Sequence, residues 1–227
     1  MMKNQVSVIF MLAGILFTTC LLLANILAIK IIQIGPFAAP AGVLIFPVAY
    51  ILNDVIAEVW GYKKARLIIW AGFTMNILMV LFFSLSIALP SAIFWTDQST
   101  YAKILGSTPR IVFASIASYL VGSFLNAFIM SRMKVISQGK HFGFRAIIST
   151  IAGETADSLL FISLAFAGTF PFHSIIIMIA TQALLKTVYE ILILPFTAMT
   201  VRWVKKKENQ DVFDHSISYN PFKIVEV

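Results

Sequence analysis

Six ionisable side chains lie in stretches that are otherwise apolar enough to enter a lipid bilayer: Asp54, Glu58, Glu154, Asp157, Lys186 and Glu190. An ionised side chain costs roughly 2.5–3.5 kcal/mol to place at the centre of a membrane helix, so such groups pair, line a cavity or bind a ligand. Five of the six are acidic and one is basic. Pairing among them cannot neutralise them all, which predicts a binding or transport site inside a membrane protein.

The composition supports an all-α polytopic membrane protein. Hydrophobic residues make up 59% of the chain and charged residues 12%, whereas an ordinary soluble domain carries about 25% charged residues. A helix needs about 20 apolar residues to cross the hydrocarbon core. The pattern predicts one transmembrane domain over residues 1–203 and a solvated cytoplasmic tail over 204–227, to which we assign no function. The six predicted spans are 6–29, 40–60, 65–89, 111–136, 146–167 and 173–203.

The net charge of +7 indicates topology and not nucleic-acid binding, because Lys and Arg are concentrated on one side of the predicted helices. The other side carries only Lys30, Lys103 and Arg110. By the positive-inside rule both termini lie in the cytoplasm. The first apolar stretch is too long for a signal peptide and lacks a cleavage site, so we expect it to be retained. The residues on the predicted cytoplasmic side are Lys3, Lys63, Lys64, Arg66, Arg132, Lys134, Lys140, Arg145, Arg202, Lys205, Lys206, Lys207 and Lys223.

Six spans divide into two halves of three helices with opposite orientations. Many secondary transporters are built from such inverted repeats, with the binding site near the midplane where the repeats meet. The acidic pairs fall in the second and fifth helices, which are corresponding members of the two halves. No residue-by-residue repeat is visible, so the inverted repeat is predicted from orientation and charge position alone.

The second helix carries two aromatic and two acidic side chains at intervals of four, which places them on one helical stripe. Its last acid, Glu58, lies one turn from the predicted cytoplasmic edge. An ion pair with Lys63 or Arg66 would account for an acid at this position as well as a binding role would. Pro47 either kinks this helix or stands at its beginning. The candidate site residues on this helix are Phe46, Tyr50, Asn53 and Asp54.

The fifth and sixth helices supply the other charged groups. Glu154 and Asp157 are one turn apart on one face, at depths of about 12 and 17 Å from residue 146. Gln182, Lys186 and Glu190 share one face of the sixth helix, where an internal Lys186–Glu190 pair is the plainer interpretation. The complete set of candidate substrate-binding residues is Asn25, Phe46, Tyr50, Asn53, Asp54, Glu154, Asp157, Gln182, Lys186 and Glu190.

These side chains could bind a proton or a cation. They could also bind a planar heterocycle, with its N–H groups donating to the carboxylates and its faces stacked on aromatic rings. Residue chemistry alone leaves these choices open. The sequence has no Cys–His metal spacing, no HExxH motif and no glycine-rich phosphate loop. We therefore predict no catalytic residue, no metal and no cofactor. The expected partners are a small-molecule substrate and the lipid bilayer.

Three segments resemble the queuosine precursor transporter family, also called the vitamin uptake transporter family. They are the run from Phe46-Pro47 to Asn53-Asp54, the run from Ser149 to Ser158, and Lys186 followed by Pro195-Phe196. The resemblance spans about residues 10–203. It implies a multi-pass importer of the bacterial inner membrane for 7-deazaguanine bases used to make queuosine in transfer RNA. Such bases include 7-cyano-7-deazaguanine, 7-aminomethyl-7-deazaguanine and queuine.

Carried over to this chain, the resemblance implies roles for Asp54, Glu154, Asp157 and Lys186. It leaves open which base is carried, whether uptake is proton-coupled, and whether the chain forms a homodimer. An alternative is the substrate-binding membrane subunit of an energy-coupling-factor importer, which has similar size and helix number. Ala24 and Ala28 would then supply a small-residue patch for a partner helix. A purely structural or assembly protein is the third class.

Overall fold

The computed structural model describes residues 7–27, 30–34, 37–106, 109–168, 170–215 and 217–223. A short hairpin of β1 (Ile31–Ile34) and β2 (Phe37–Pro40) and a 3-10 turn (Ala41–Leu44) follow the first helix. Within this described part, every helix except α3 is long and apolar enough to cross a membrane. The helices are α1 (Val8–Leu27), α2 (Phe46–Ala88), α3 (Gln98–Leu105), α4 (Pro109–Ile136), α5 (Phe142–Phe166) and α6 (Phe172–Glu208).

Large apolar side chains cover the outside of the bundle, which is the surface that a bilayer would contact. Examples are Leu12 on α1, Phe82 on α2 and Leu192 on α6, which are 55%, 65% and 70% exposed. A soluble monomer rarely exposes so much contiguous apolar surface. The chain is therefore a multi-pass, predominantly helical membrane protein.

Helix α2 is divided in two by Gly61. The backbone at Gly61 has φ 83° and ψ 173°, a conformation that glycine adopts without the steric cost of a side chain. Residues 46–60 form a first arm and residues 62–88 a second arm. The predicted connection over residues 61–64 thus shrinks to one residue, because the helix resumes at Tyr62.

Several helix boundaries differ from the predicted ones. The second helix begins at Phe46 and not at residue 40, because the preceding residues form β2 and the 3-10 turn. Pro47 therefore lies in the first turn, where its missing N–H costs no helical hydrogen bond. Helix α5 begins four residues before its predicted start. Helix α6 continues past residue 203 to Glu208. Three lysines lie in its last turn, where their positive charges interact favourably with the negative end of the helix dipole.

Close packing of α4 against α5 positions the charged centre of the bundle. A Cβ atom added at Gly122 would lie 2.9 Å from Cβ of Asp157 and 3.0 Å from the carbonyl oxygen of Gly153. A Cβ atom added at Gly153 would lie 2.9 Å from Cβ of Asn126. Glycine at both positions lets the two backbones approach closely. Gly153 thus serves the packing of α4 against α5.

The described residues after α6 fold back onto the bundle and contact it at several points, a packing that the sequence did not predict. We call residues 209–215 and 217–223 the C-terminal strap. Asp214 of the strap is 6% exposed and accepts hydrogen bonds from the backbone N–H of Tyr62 at 2.8 Å and from Oγ of Ser131 at 2.5 Å. The backbone N–H of Val212 donates to the carbonyl of Val59 at 3.1 Å. The strap therefore covers the break in α2 and ties it to α4.

The second half of the strap is held through its backbone carbonyls. Oη of Tyr62 donates to the carbonyl of Tyr219 at 3.0 Å, and Nη1 of Arg66 donates to that of Asn220 at 2.8 Å. Nε1 of Trp70 donates to the carbonyl of Pro221 at 2.8 Å. These contacts were not predictable from the sequence, because backbone carbonyls leave no mark on a side-chain pattern.

Asp214→Ala should lower the free energy of unfolding by about 1–3 kcal/mol, because it leaves the Tyr62 N–H and the Ser131 hydroxyl buried without their acceptor. The measurement is thermal and denaturant unfolding of the purified protein in detergent. Asp97→Ala is the matched control, since Asp97 is exposed and makes no side-chain cap at α3. Equal stability of the two variants would contradict a structural role for the strap.

Candidate functional site

A buried ion cluster joins α5 to α6. Nζ of Lys186 lies 2.6 Å from Oε2 of Glu154 and 2.7 Å from Oδ2 of Asp157. The acids sit one turn apart on α5, so a single ammonium group bridges both. Their side chains are 3% and 7% exposed, and that of Lys186 is 10% exposed. The cluster keeps one negative charge in excess when all three groups are ionised.

An aromatic ring from the first arm of α2 lies beside this cluster. Nζ of Lys186 is 6.0 Å from the ring centroid of Tyr50, at the outer limit of a cation–π contact. Tyr50 is 6% exposed, and its hydroxyl lies 3.3 Å from the point where Gly122 would carry a Cβ atom. Tyr50 therefore lies near the ammonium group that the two acids share. Phe46 begins α2, and its side chain lies outside the described residues.

Two further acids lie in the bundle without a basic partner among the residues that the structure describes. Asp54 on the first arm of α2 is 0% exposed, and both of its carboxylate oxygens lack a hydrogen-bond partner there. Glu190 on α6 is 2% exposed, and its Oε1 likewise has none. Next to Asp54, Nδ2 of Asn53 donates to Oδ1 of Asn126 at 2.9 Å. We call Asp54, Glu154, Asp157, Lys186 and Glu190 the inner cluster.

Glu58 belongs to a different set of charges. Nη1 and Nη2 of Arg145 contact its two carboxylate oxygens at 2.5 and 3.0 Å, and Nζ of Lys205 contacts Oε1 at 2.7 Å. Lys134 completes this Glu58 cluster, donating to the backbone carbonyl of Glu58. Pairing was one of the two predicted interpretations of Glu58, but its predicted partners, Lys63 and Arg66, are wrong. Both lie beyond the break at Gly61, so the helical spacing that would bring them to Glu58 is lost.

Asp211 of the strap closes the Glu58 cluster. Its Oδ1 lies 2.5 Å from Nζ of Lys134 and 2.9 Å from Nζ of Lys205. Partial burial raises the pKa of Asp211, but the two ammonium groups outweigh that effect and hold the pKa below its ordinary value. Asp211 therefore stays ionised at neutral pH. Sequence reasoning missed this cluster because it counted Lys134, Arg145 and Lys205 only as topology charges.

Asn25 is placed in a third polar group. Its Nδ2 donates to Oδ1 of Asn76 at 2.5 Å, and Oγ of Ser115 donates to its Oδ1 at 3.4 Å. These bonds join α1, the second arm of α2 and α4 and do not include the acids. This geometry gives Asn25 an interhelical hydrogen bond. Gln182 is half-buried one turn before Lys186.

The inner cluster is closed to solvent in this conformation, since its side chains are at most 10% exposed. A surface groove of about 490 Å³ runs along α5, but Ile148, Ala152 and Leu159 are among the residues that line it, and no member of the inner cluster does. A ligand would therefore reach the acids only after the helices separate. A closed, charged centre that must open is typical of an alternating-access carrier.

Comparison with known proteins gives two matches. A family model described as "Putative vitamin uptake transporter" matches residues 40–200, which is more than half of the chain. A curated protein of Bacillus subtilis (strain 168), named "Probable queuosine precursor transporter", is 20% identical over 186 residues. That alignment covers 82% of this chain and 81% of the relative. No solved structure matches the chain at a significant level.

Proposed function

The chain belongs to the vitamin uptake transporter family, and from that premise we propose that it imports queuosine precursors, the 7-deazaguanine bases, across the bacterial inner membrane. The name of the Bacillus subtilis relative supports this substrate class. Membership of a transporter family also favours a carrier over an enzyme. The observation that carries the proposal is a single lysine shared by two buried acids beside an aromatic ring.

The substrate chemistry suits these groups. The edge of a guanine-like base presents several N–H donors, and Glu154 and Asp157 hold one more negative charge than Lys186 neutralises. Hydrogen bonds to a carboxylate are about twice as strong as neutral ones, so they favour a donor-rich ligand. The ring of Tyr50 offers a flat surface on which the base would stack. We propose that the base displaces Lys186 from one of the two acids.

We further propose that the membrane domain has six spans: α1, the two arms of α2, α4, α5 and α6. The two halves of three spans would then be inverted repeats, with both termini and residues 204–227 in the cytoplasm. The concentration of Lys and Arg at that end supports this orientation.

The test is uptake in bacteria that can neither make the base nor import it, given trace 7-cyano-7-deazaguanine. We expect the wild type to restore queuosine in transfer RNA and Asp157→Asn to reduce initial uptake by about tenfold to a hundredfold, the effect of losing one charged hydrogen bond. Expression in the membrane is matched by immunoblot. Asp97→Asn is the control because Asp97 is an exposed acid outside the bundle.

Purified protein in liposomes then separates the competing classes. Exchange of labelled 7-cyano-7-deazaguanine by the chain alone would support a stand-alone carrier. Binding without exchange would point to the substrate-binding subunit of an energy-coupling-factor importer. If the folded protein neither binds nor exchanges the base, the proposed function is wrong. A structural protein would in addition tolerate neutral inner acids with no loss of any activity.

A further inference from the structure

We propose that Asp54 and Glu190 form a proton-binding pair that couples import to the proton gradient, at a place separate from the acids that hold Lys186. The inference rests on the proposed import function. It assigns the two acids of the inner cluster that the substrate mechanism above does not use. The ligand of this pair is a proton.

The contrast among the five membrane acids carries the argument. Glu58 contacts Arg145 and Lys205, and Glu154 and Asp157 share Lys186. Asp54 and Glu190, by comparison, form no ion pair with any basic side chain in the described ranges, although they are 0% and 2% exposed. Three of their four carboxylate oxygens are buried without a hydrogen-bond partner there. A buried carboxylate without a paired cation is strongly disfavoured, unless a proton neutralises it.

The charged groups that face the pair do not supply the missing cation. Asp54 lies within electrostatic reach of Glu190 on α6, Glu58 on its own helix and Arg145 on α5. Helix α4 contributes Asn126, whose neutral side-chain amide is within reach to donate to Asp54 but carries no charge. Glu190 also lies within electrostatic reach of Glu154. The one cation in this set, Arg145, is bound through two nitrogens to Glu58.

Lys186, which lies one turn before Glu190, is bound to Glu154 and Asp157. Two buried carboxylates that repel each other electrostatically favour a state in which one of them holds a proton, because both cannot be ionised at acceptable cost. A metal ion is a poorer fit. In the described part of the chain, no group of three or more His, Cys, Asp or Glu side chains is arranged to hold one. Na⁺ would need additional oxygen ligands that two carboxylates do not supply.

The placement also links proton binding to the substrate site. Asp54 follows Tyr50 by one turn of α2, and Glu190 follows Lys186 by one turn of α6. A shift of α6 relative to α2 that opens the substrate site therefore separates the two acids of the pair. In each cycle one proton and one base would enter from outside, and both would leave to the cytoplasm. Charge and atoms balance because the proton is carried and not consumed.

The experiment uses the full chain in liposomes, with the membrane potential held at zero by potassium and valinomycin. Exchange of labelled 7-cyano-7-deazaguanine at equal pH tests import, and accumulation under a more acidic exterior tests coupling. One proton per neutral base allows about tenfold accumulation for each pH unit, since both correspond to about 1.4 kcal/mol. An internal pH dye should report acidification that depends on the base.

The variants are Asp54→Asn and Glu190→Gln, with Asp97→Asn as the matched control. In each pair variant we expect accumulation to fall by a factor at least about tenfold larger than the factor by which exchange falls, which corresponds to about 1.4 kcal/mol of coupling. The control should keep both accumulation and exchange. Wild-type exchange without accumulation would overturn the coupling. So would accumulation by both pair variants at the wild-type level, or accumulation that follows a sodium gradient. Absence of wild-type exchange would instead contradict the proposed function.

Infrared difference spectroscopy tests the pair without any substrate. The wild type at neutral pH should show the carbonyl stretch of a protonated carboxylic acid, and this band should be absent from Asp54→Asn or Glu190→Gln. Lys103→Gln should keep the band, because Lys103 is exposed on α3. If no protonated carboxyl band is seen in folded wild-type protein at neutral pH, the pair does not hold a proton and the inference is wrong.

Discussion

Lys186→Met is expected to destabilise the bundle by about 3–5 kcal/mol and to abolish uptake, because it leaves Glu154 and Asp157 buried without their only described cation. The free energy of unfolding in mixed micelles and uptake of 7-cyano-7-deazaguanine in liposomes are the two measurements. Lys103→Met removes an exposed lysine from α3 and should change neither quantity.

A compensated variant separates the structural role of Lys186 from its role in transport. When Lys186→Met is combined with Glu154→Gln and Asp157→Asn, no buried charge remains at this place. Neutral replacement of a whole buried ion pair often costs little stability, so we expect most of the lost stability to return. Uptake should stay absent, because the acceptors for the base are gone. Wild-type uptake by the compensated variant would show that the substrate binds elsewhere.

The sequence was informative about the membrane helices and about the inner acids. Periodicity placed Glu154 with Asp157, and Lys186 with Glu190, each pair on one helical face. The structure brings these faces together beside the ring of Tyr50. That part was predictable because spacing along a single helix determines which side chains share a face. The choice of Asp157 and Glu154 over Glu190 as partners of Lys186 was not, since it depends on how α5 meets α6.

Features that depend on distant segments were not predictable. Arg145 contacts Glu58 across 87 positions of sequence, so it could only be counted as a loop charge. The strap escaped notice because carbonyl oxygens provide much of its binding, as at Asn220. The sequence predicted a four-residue loop at Gly61. A break made by one residue with positive φ has no sequence signal other than the glycine itself, so its length was not predictable. Local spacing predicts which side chains share a helical face. Which faces contact each other depends on the packing of the whole bundle.

Glu58→Gln is the second change with a large expected effect. It removes the negative charge that Arg145 and Lys205 contact, and the side chain of Arg145 is only 1% exposed. Breaking one side of a buried ion pair costs about 3–5 kcal/mol, because the remaining charge is buried without compensation. We expect a correspondingly lower free energy of unfolding in mixed micelles. The strap should also loosen, which limited proteolysis after residue 208 would detect.

A double-mutant cycle identifies the partner of Glu58. Glu58→Gln combined with Arg145→Gln should cost much less than the sum of the two single changes, because the double variant leaves no unpaired charge between these positions. Lys63→Gln is the matched control, since Lys63 is the partner that local spacing favours but it lies beyond Gly61. Its effect should be small and additive with Glu58→Gln. If Lys63 couples to Glu58 and Arg145 does not, α2 runs continuously through Gly61 in the membrane and the packing of α5 against its first arm is wrong.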